Sequence, residues 1–402
     1  MKLIPRKKYL DSIESKIGQN MIICITGQRR VGKSSLLKTL RESLLQHDES
    51  NVIYIDKEKS RFDSIKDYKD LNSHIESNLD DSRHNYILID EVQYIDRFEE
   101  SPSNFYDEGN IDIIVTGSNA KMFSGELSTR LSGRYMTVHV GSLSYVEFLE
   151  FRNLENNDHS LNEYLNIGGL PNLTLLPADN PTAISDYLES IYSTIVLKDV
   201  IEREGVRNIS VLENLTRFIS DNIGKLISMS NISRYMLHEK EEIPAPTVRS
   251  YMRSLCNAYI INKVERWDIH GKQLLSSNDK YYFEDLGLRN ILTSGNRKRD
   301  IEKLIENAVY LHLKGCGYKV NVGMLRNGEI DFVASRGNER IYFQVTYLLH
   351  DDATFEREFG NLQKIKDNYP KYVISMDPLY SQSSYEGINH ISLRDFLTRT
   401  SF

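Results

Sequence analysis

Gly27, Gln28, Arg29, Arg30, Val31, Gly32, Lys33 and Ser34 spell G-x-x-x-x-G-K-S and are followed by Ser35. Glycines at that spacing let backbone N–H groups close around a string of phosphates. Lys33 brings a cation to the outer oxygens, and the Ser34 hydroxyl is of the kind that holds Mg2+. Gly27 through Ser35 are therefore expected to bind a nucleoside triphosphate. A second group of acids follows in Tyr86-Ile87-Leu88-Ile89-Asp90-Glu91. Carboxylates at the carboxyl end of an apolar strand suit two tasks. Asp90 would hold Mg2+ through its water shell opposite Ser34, and Glu91 would orient or deprotonate an attacking water.

Two further positions are candidates for sensing or stabilising charge at the outer phosphate. The run Ile111–Gly117 leads directly into Ser118 and Asn119, where a polar group at a strand end would face that phosphate. A turn with a helix cap is the alternative there. Arg130 and Arg134 each carry a guanidinium able to stabilise a transferring phosphoryl group, in cis or from a neighbouring subunit. Arg134, with Gly133 before it and a strand after it, is the better placed; a surface salt bridge is the competing reading for either arginine. Lys33, Glu91, Asn119 and Arg134 are thus the expected catalytic set, with Ser34 and Asp90 on the metal and ATP and Mg2+ as cofactors.

These side chains need rigid supports, and the periodicity supplies them. Met21–Thr26 is a short apolar run rich in β-branched residues, and from Ser34 to Gln46 the positions Leu36, Leu37, Leu40 and Leu44 share one helical face. Strand, loop and helix in succession deliver the phosphates to a helix N-terminus. Before them, Arg6–Gly18 reads as a helix with Tyr9, Leu10, Ile13 and Ile17 on one side, placed to flank the adenine. Asn51–Asp56 is a further strand, whereas the charged stretch after it, out to Asp81, has only weak periodicity.

The composition is that of a globular protein: 402 residues, 40% hydrophobic and 27% charged, with a formal charge of −7. That length implies three domains, and the charge gives no overall pull toward nucleic acid, so a DNA contact would have to come from a local basic face. No apolar run approaches the roughly 18 residues of a membrane span, and the first residues lack a signal-peptide core, so the expected location is the cytoplasm. Cys24, Cys256 and Cys316 are far apart and lack C-x-x-C spacing, which reads as buried free thiols and not as metal ligands or catalytic groups.

The segments GQRRVGKSSLL, YILIDEVQ, VTGSNAKM and LSGRY, in this order, resemble the AAA-superfamily ATPases of bacteria and archaea that carry a second region known only as a domain of unknown function. The resemblance continues through YLNIGGLP, STIVLKDVIER, KYYFEDLGLRN and IENAVYLHL, and so covers nearly the whole chain. It implies ATP binding and hydrolysis without naming a biological task.

Between Ser144 and Leu197 the pattern turns helical, interrupted at Gly168, Gly169 and Pro171. Farther on, Ile227–Tyr235, the prolines 244 and 246, and a helix capped by Thr247 and running to Asn257 suggest a helix-turn-helix. Strands at Ile260–Trp267 and Lys280–Glu284, around a turn at Gly271, would add a wing. Arg249 and Arg253 lie four apart on the second helix, as in a DNA-reading helix, and packing against protein is the equal alternative.

The last part opens with an amphipathic helix, Ile301–Lys314, carrying Glu306. Strands at Tyr318–Val322, Glu329–Ala334 and Arg340–Tyr347 follow. That layout resembles the restriction-endonuclease-like fold, in which an upstream Glu, an Asp and a Glu-x-Lys pair form a Mg2+-dependent phosphodiesterase site. Glu306 and Asp331 match; Gln344-Val345-Thr346 stands where Glu-x-Lys is expected. An amide is a poorer ligand for a hard cation than a carboxylate, and Thr346 carries no charge. Glu329, and Lys364 or Lys366, are the available substitutes.

The expected architecture is therefore α/β: an AAA-type P-loop ATPase domain at residues 1–152, a helical and winged-helix domain at 153–295, and a small restriction-endonuclease-like domain at 296–402. The expected function is an ATP-hydrolysing switch or motor with ATP, DNA and a second copy of the chain as its partners. The alternatives are an ATP-gated nuclease and a slow nucleotide-binding adaptor.

Overall fold

The computed structural model describes residues 4–105, 109–120, 133–177, 180–293, 297–349, 352–378 and 383–402. They form two compact units: Met1–Gly141 with Asn257–Tyr259, and Ser142–Cys256 with Ile260–Phe402.

The first unit is built on a parallel sheet of β1 (Ile22–Thr26), β2 (Ser50–Asp56), β3 (His84–Asp90), β4 (Ile111–Gly117) and β5 (Tyr135–His139), in the order β2-β3-β4-β1-β5. Every residue of β1 and of β4 is buried, as a central parallel strand covered on both faces requires. Helices α1 (Lys7–Glu14), α2 (Lys33–Leu44) and α3 (Tyr68–Glu76) belong to the same unit. The inward face of α2 is Leu36, Leu37, Leu40 and Leu44, as the spacing predicts. Helix α3 lies in the stretch that shows little periodicity. Its only buried residues are Leu71 and Ile75, and its start is fixed by Asp67, whose carboxylate accepts the N–H groups of Lys69 and Asp70.

The second unit opens with helices α4 (Tyr145–Arg152), α5 (Asp158–Ile167), α6 (Pro181–Ile195), α7 (Ile209–Asp221), α8 (Met229–His238) and α9 (Ala245–Asn257). Its sheet contains β6 (Ile261–Asp268), β7 (Gln273–Phe283), β8 (Lys319–Leu325), β9 (Gly328–Arg336), β10 (Glu339–Val345), β11 (Lys371–Ser375), β12 (Ser384–Tyr385) and β13 (Ile388–Ser392), ordered β12-β13-β11-β10-β9-β8-β6-β7. Helices α10 (Leu286–Leu292), α11 (Arg297–Gly315), α12 (Asp352–Gln363) and α13 (Leu393–Phe396) belong to the same unit.

The chain thus divides in two where the sequence suggests three. The hairpin expected to be a wing does not stand apart: β6 runs parallel to β8, with Arg266 opposite Val322, so it extends the sheet of the last strands. The expected cut at residues 295 and 296 falls inside one unit. A smaller difference concerns Thr247, expected as a cap, which sits inside the first turn of α9 because that helix starts at Ala245.

Asp285 shows how the second unit is locked. Its buried carboxylate accepts the Leu288 N–H at 3.0 Å, capping α10, and the Gly169 N–H at 2.8 Å. The GGLP and FEDLG segments noted in the sequence meet at this one side chain. Asp285→Ala leaves buried donors unsatisfied and removes a cap, and should cost about 2–4 kcal/mol of stability, read as a lowered urea midpoint at unchanged slope. A midpoint equal to that of the parent would show that water replaces the carboxylate.

The cysteines are free, but of the three expected to be buried only Cys24, in β1, is fully so, and burial there pushes its thiol well above the usual range; Cys256 and Cys316 are half-buried. Burial also pushes Cys256 up to about 12.

Candidate functional site

Strand β1 delivers the chain to Gly27 at the carboxyl edge of the sheet. A side chain there is excluded: φ is +145°, and a Cβ would lie 2.1 Å from the Val140 carbonyl oxygen. Arg30 and Gly32 then take left-handed conformations, with φ of 69° and 98°, curling the backbone before α2 starts at Lys33. Such a curl is the geometry of an anion nest at a helix N-terminus.

Lys33 is 3% exposed. Its ammonium donates to the carbonyls of Gly27 at 3.0 Å and Gln28 at 2.9 Å, and lies 3.9 Å from Glu91 Oε1. The loop is anchored from several sides. Arg6 donates to Val31 O at 3.0 Å and Gly141 O at 2.8 Å, fixing the start of α1 against it. Buried Gln28 donates to the Tyr259 carbonyl at 2.9 Å, and Arg29 to the Tyr94 hydroxyl at 3.1 Å. Arg30 and Ser35 are exposed.

The acids sit where β3 ends. Asp90, 1% exposed, accepts the Thr116 hydroxyl at 2.5 Å and also bonds the Ser34 hydroxyl. Burial raises its carboxyl above the ordinary range, against the pull of those two hydroxyls. The same Thr116 oxygen accepts the Glu91 N–H at 2.9 Å, so one hydroxyl sets the spacing of both acids. Glu91 is buried with φ of 59°, a left-handed conformation that costs a non-glycine residue about 1–2 kcal/mol. Its carboxylate is held by the Gln93 amide and by the Ser118 hydroxyl at 3.5 Å.

The structure therefore brings together Gly27, Gln28, Lys33, Ser34, Asp90 and Glu91. Ser118 and Asn119 are buried directly after β4, with Ser118 against Glu91. The donor set fits a magnesium nucleotide: a serine hydroxyl and a carboxylate already face each other, and Mg2+ is typically held by one or two carboxylates together with substrate phosphates and waters.

Arg134 is the correction. It precedes β5, and its carbonyl accepts the Ile22 N–H at 2.9 Å at the very start of β1. Because β1 and β5 are parallel, Arg134 lies at the amino edge of the sheet, a full strand from Gly27 at the other edge, and it is exposed. Five residues at about 3.3 Å each separate the edges, beyond the reach of one side chain within this chain. Arg134→Ala should leave phosphate release by the lone chain within about twofold of the parent, in line with other surface changes. A tenfold loss would restore the cis role. Arg130 lies outside the described residues.

Thr116 and Gln93 are the residues that sequence reasoning missed. Thr116 could have been found, since it is the one hydroxyl in the otherwise apolar end of Ile111–Gly117. Gln93 carries no signal of its own.

The family model of an AAA domain matches residues 19–149, and that of a domain of unknown function (DUF8612) matches residues 158–299. An uncharacterized protein of Haemophilus influenzae is 34% identical over 402 residues, covering 98% of each chain. The chain belongs to that protein's family, within the AAA superfamily of P-loop ATPases. An uncharacterized protein of Methanocaldococcus jannaschii is 28% identical over 373 residues, covering 88% of this chain and 81% of its own. Among solved structures, a Walker-type ATPase of Pyrococcus abyssi matches with a TM-score of 0.52 at 18% identity, covering 72% of this chain and 96% of its own. At that identity the likeness concerns the fold. No described helix is long and apolar enough to cross a membrane.

Proposed function

We propose that this AAA-family protein is an ATP-hydrolysing, Mg2+-dependent switch whose chemistry resides in the first unit. The observation that carries the proposal is the Thr116 hydroxyl, which joins Asp90 and Glu91 beside Ser34 and Lys33 in one buried constellation. A second buried acid held in a left-handed conformation beside Asp90 supports a hydrolytic role, since strain of that kind is stored at functional sites.

When bound, Mg2+ would be held by Ser34 and Asp90 and would neutralise charge on the phosphates. The loop from Gly27 to Ser35 would cradle the phosphates, and Lys33 would exchange the Gly27 and Gln28 carbonyls for β- and γ-phosphate oxygens. Glu91 would accept the proton of a water whose oxygen attacks the γ-phosphorus as the bond to the ADP oxygen breaks. For that, its carboxylate must be released from Gln93 and Ser118, which makes these two and adjoining Asn119 the elements that report the nucleotide state. With Arg134 at the opposite edge of the sheet, an arginine finger would come from Arg130 or from a neighbouring copy.

Residues 227–283 support a winged-helix reading, with α8 and α9 followed by the β6–β7 hairpin and Ile227 bridging to Asp279. Arg249 and Arg253 project from the exposed side of α9, away from buried Val248, Met252 and Leu255, as a phosphate-contacting face would. The last strands, β8 to β13, are the part read as endonuclease-like, and the cytoplasm is the compartment consistent with free thiols.

The test is phosphate release from ATP by the full chain in Mg2+, with and without duplex DNA across a salt series. Release above the Lys33→Ala background supports hydrolysis, and salt-sensitive stimulation supports a DNA partner. Tight ATP binding without release would leave the adaptor reading.

A further inference from the structure

The restriction-endonuclease-like resemblance calls for a divalent metal held by Glu306, Asp331 and a third acid. The residues do not fit that ion. We infer that the ammonium of Lys280, on β7, is the resident cation of this cluster, and that the cluster ties β7 to β9 and α11 instead of holding a metal.

Lys280 is 2% exposed, and its Nζ lies 3.0 Å from Glu306 Oε1, 2.6 Å from Glu329 Oε1 and 3.5 Å from Asp331 Oδ1. These are the carboxylates a metal would need, and an ion at about 2.0–2.6 Å from them would sit against the ammonium, where like charges repel. Burial works against the charged lysine, and three carboxylates within 3.5 Å offset that cost. Glu306 also accepts the Tyr282 hydroxyl at 2.6 Å. Gly224 closes over its other oxygen, since a Cβ there would lie 2.5 Å from Glu306 Oε2.

The third position offers no replacement ligand. Gln344 accepts the Asp331 N–H at 2.9 Å and donates to Glu358 at 2.7 Å, so both ends of its amide are engaged. Glu358 is itself paired with Arg357 at 2.6 Å, and the Thr346 hydroxyl is directed to the Leu348 carbonyl at 3.4 Å. Lys364, a sequence candidate for the missing charge, follows α12 and donates to Asn361 at 2.8 Å; Lys366 is exposed. Among the described residues no group of three or more His, Cys, Asp or Glu is arranged to hold a metal.

Sequence reading missed Lys280 because it comes from a strand assigned to a different domain. It supplies the charge absent at Thr346, but from the middle of the carboxylates.

The experiment titrates Mn2+ into the nucleotide-free full chain by calorimetry, in an Asp90→Asn background that silences the phosphate loop. Melting curves are taken in parallel. With Lys280 intact, no Mn2+ dependent on Glu306 and Asp331 should bind, and the melting temperature should be the same in Mn2+ and in chelator. Lys280→Met should lower the melting temperature by about 5–10 °C, as expected when a buried ion cluster loses its cation, or should take up one Mn2+ that Glu306→Gln/Asp331→Asn abolishes. Either change supports the assignment.

Mn2+ bound with Lys280 intact and lost in Glu306→Gln/Asp331→Asn would overturn it. So would a Lys280→Met variant that melts with the parent and binds no Mn2+. If Lys280→Met does not fold, the tie is supported, and the titration of the intact lysine alone decides the metal question.

Discussion

Lys33→Ala is expected to weaken ATP binding by about 30- to several thousand-fold. That range corresponds to the roughly 2–5 kcal/mol lost when one member of a buried charge pair is truncated opposite its partner. The lysine is buried at the base of the loop, with its ammonium 3.0 Å and 2.9 Å from two loop carbonyls, so it needs only to exchange those acceptors to meet phosphate oxygens. Alanine removes the cation but keeps the helical backbone that starts α2. It also leaves the Gly27 and Gln28 carbonyls and the Glu91 carboxylate without their cation, so melting curves without nucleotide must accompany the calorimetry. A variant that melts near the parent and fails to bind ATP isolates the lysine's part. Unchanged affinity would mean that the nucleotide sits elsewhere.

How much could be read in advance depended on whether the deciding contact was local in sequence. The phosphate loop was legible because strand, glycines, lysine and helix are contiguous, and Asp90 with Glu91 because a run of apolar residues ending in acids fixes them at a strand's carboxyl end. Arg134 misled for the mirror reason. It comes just before a strand, and in a parallel sheet the start of a strand lies at the edge opposite the loop; that follows only once β5 is known to pair beside β1. Thr116 and Lys280 act across 26 residues or more, reaching Asp90 and Glu306 from other strands, and no periodicity reports such a meeting. Helix α3 was missed because only Leu71 and Ile75 face inward.

Glu91→Gln should bind ATP within about threefold of the parent while phosphate release falls by about 10²–10⁴, the usual contribution of a positioned general base. The replacement is nearly isosteric, and the side chain lies among partners that tolerate an amide: the Ser118 hydroxyl can donate to it or accept from it, and the backbone N–H still meets Thr116. The left-handed backbone at position 91 is equally open to either residue, so folding should be preserved. Lys33 stays at the loop and Asp90 keeps both hydroxyl partners, which preserves nucleotide affinity. An amide oxygen is far too weak a base to take a proton from the attacking water, so only the step in which that proton moves is slowed. Equal losses in affinity and turnover would instead make Glu91 a binding residue. Turnover at the parental rate would remove it from the chemistry altogether and leave Asp56, which pairs with Asp90 in the register of β2 and β3, as the next acid to test.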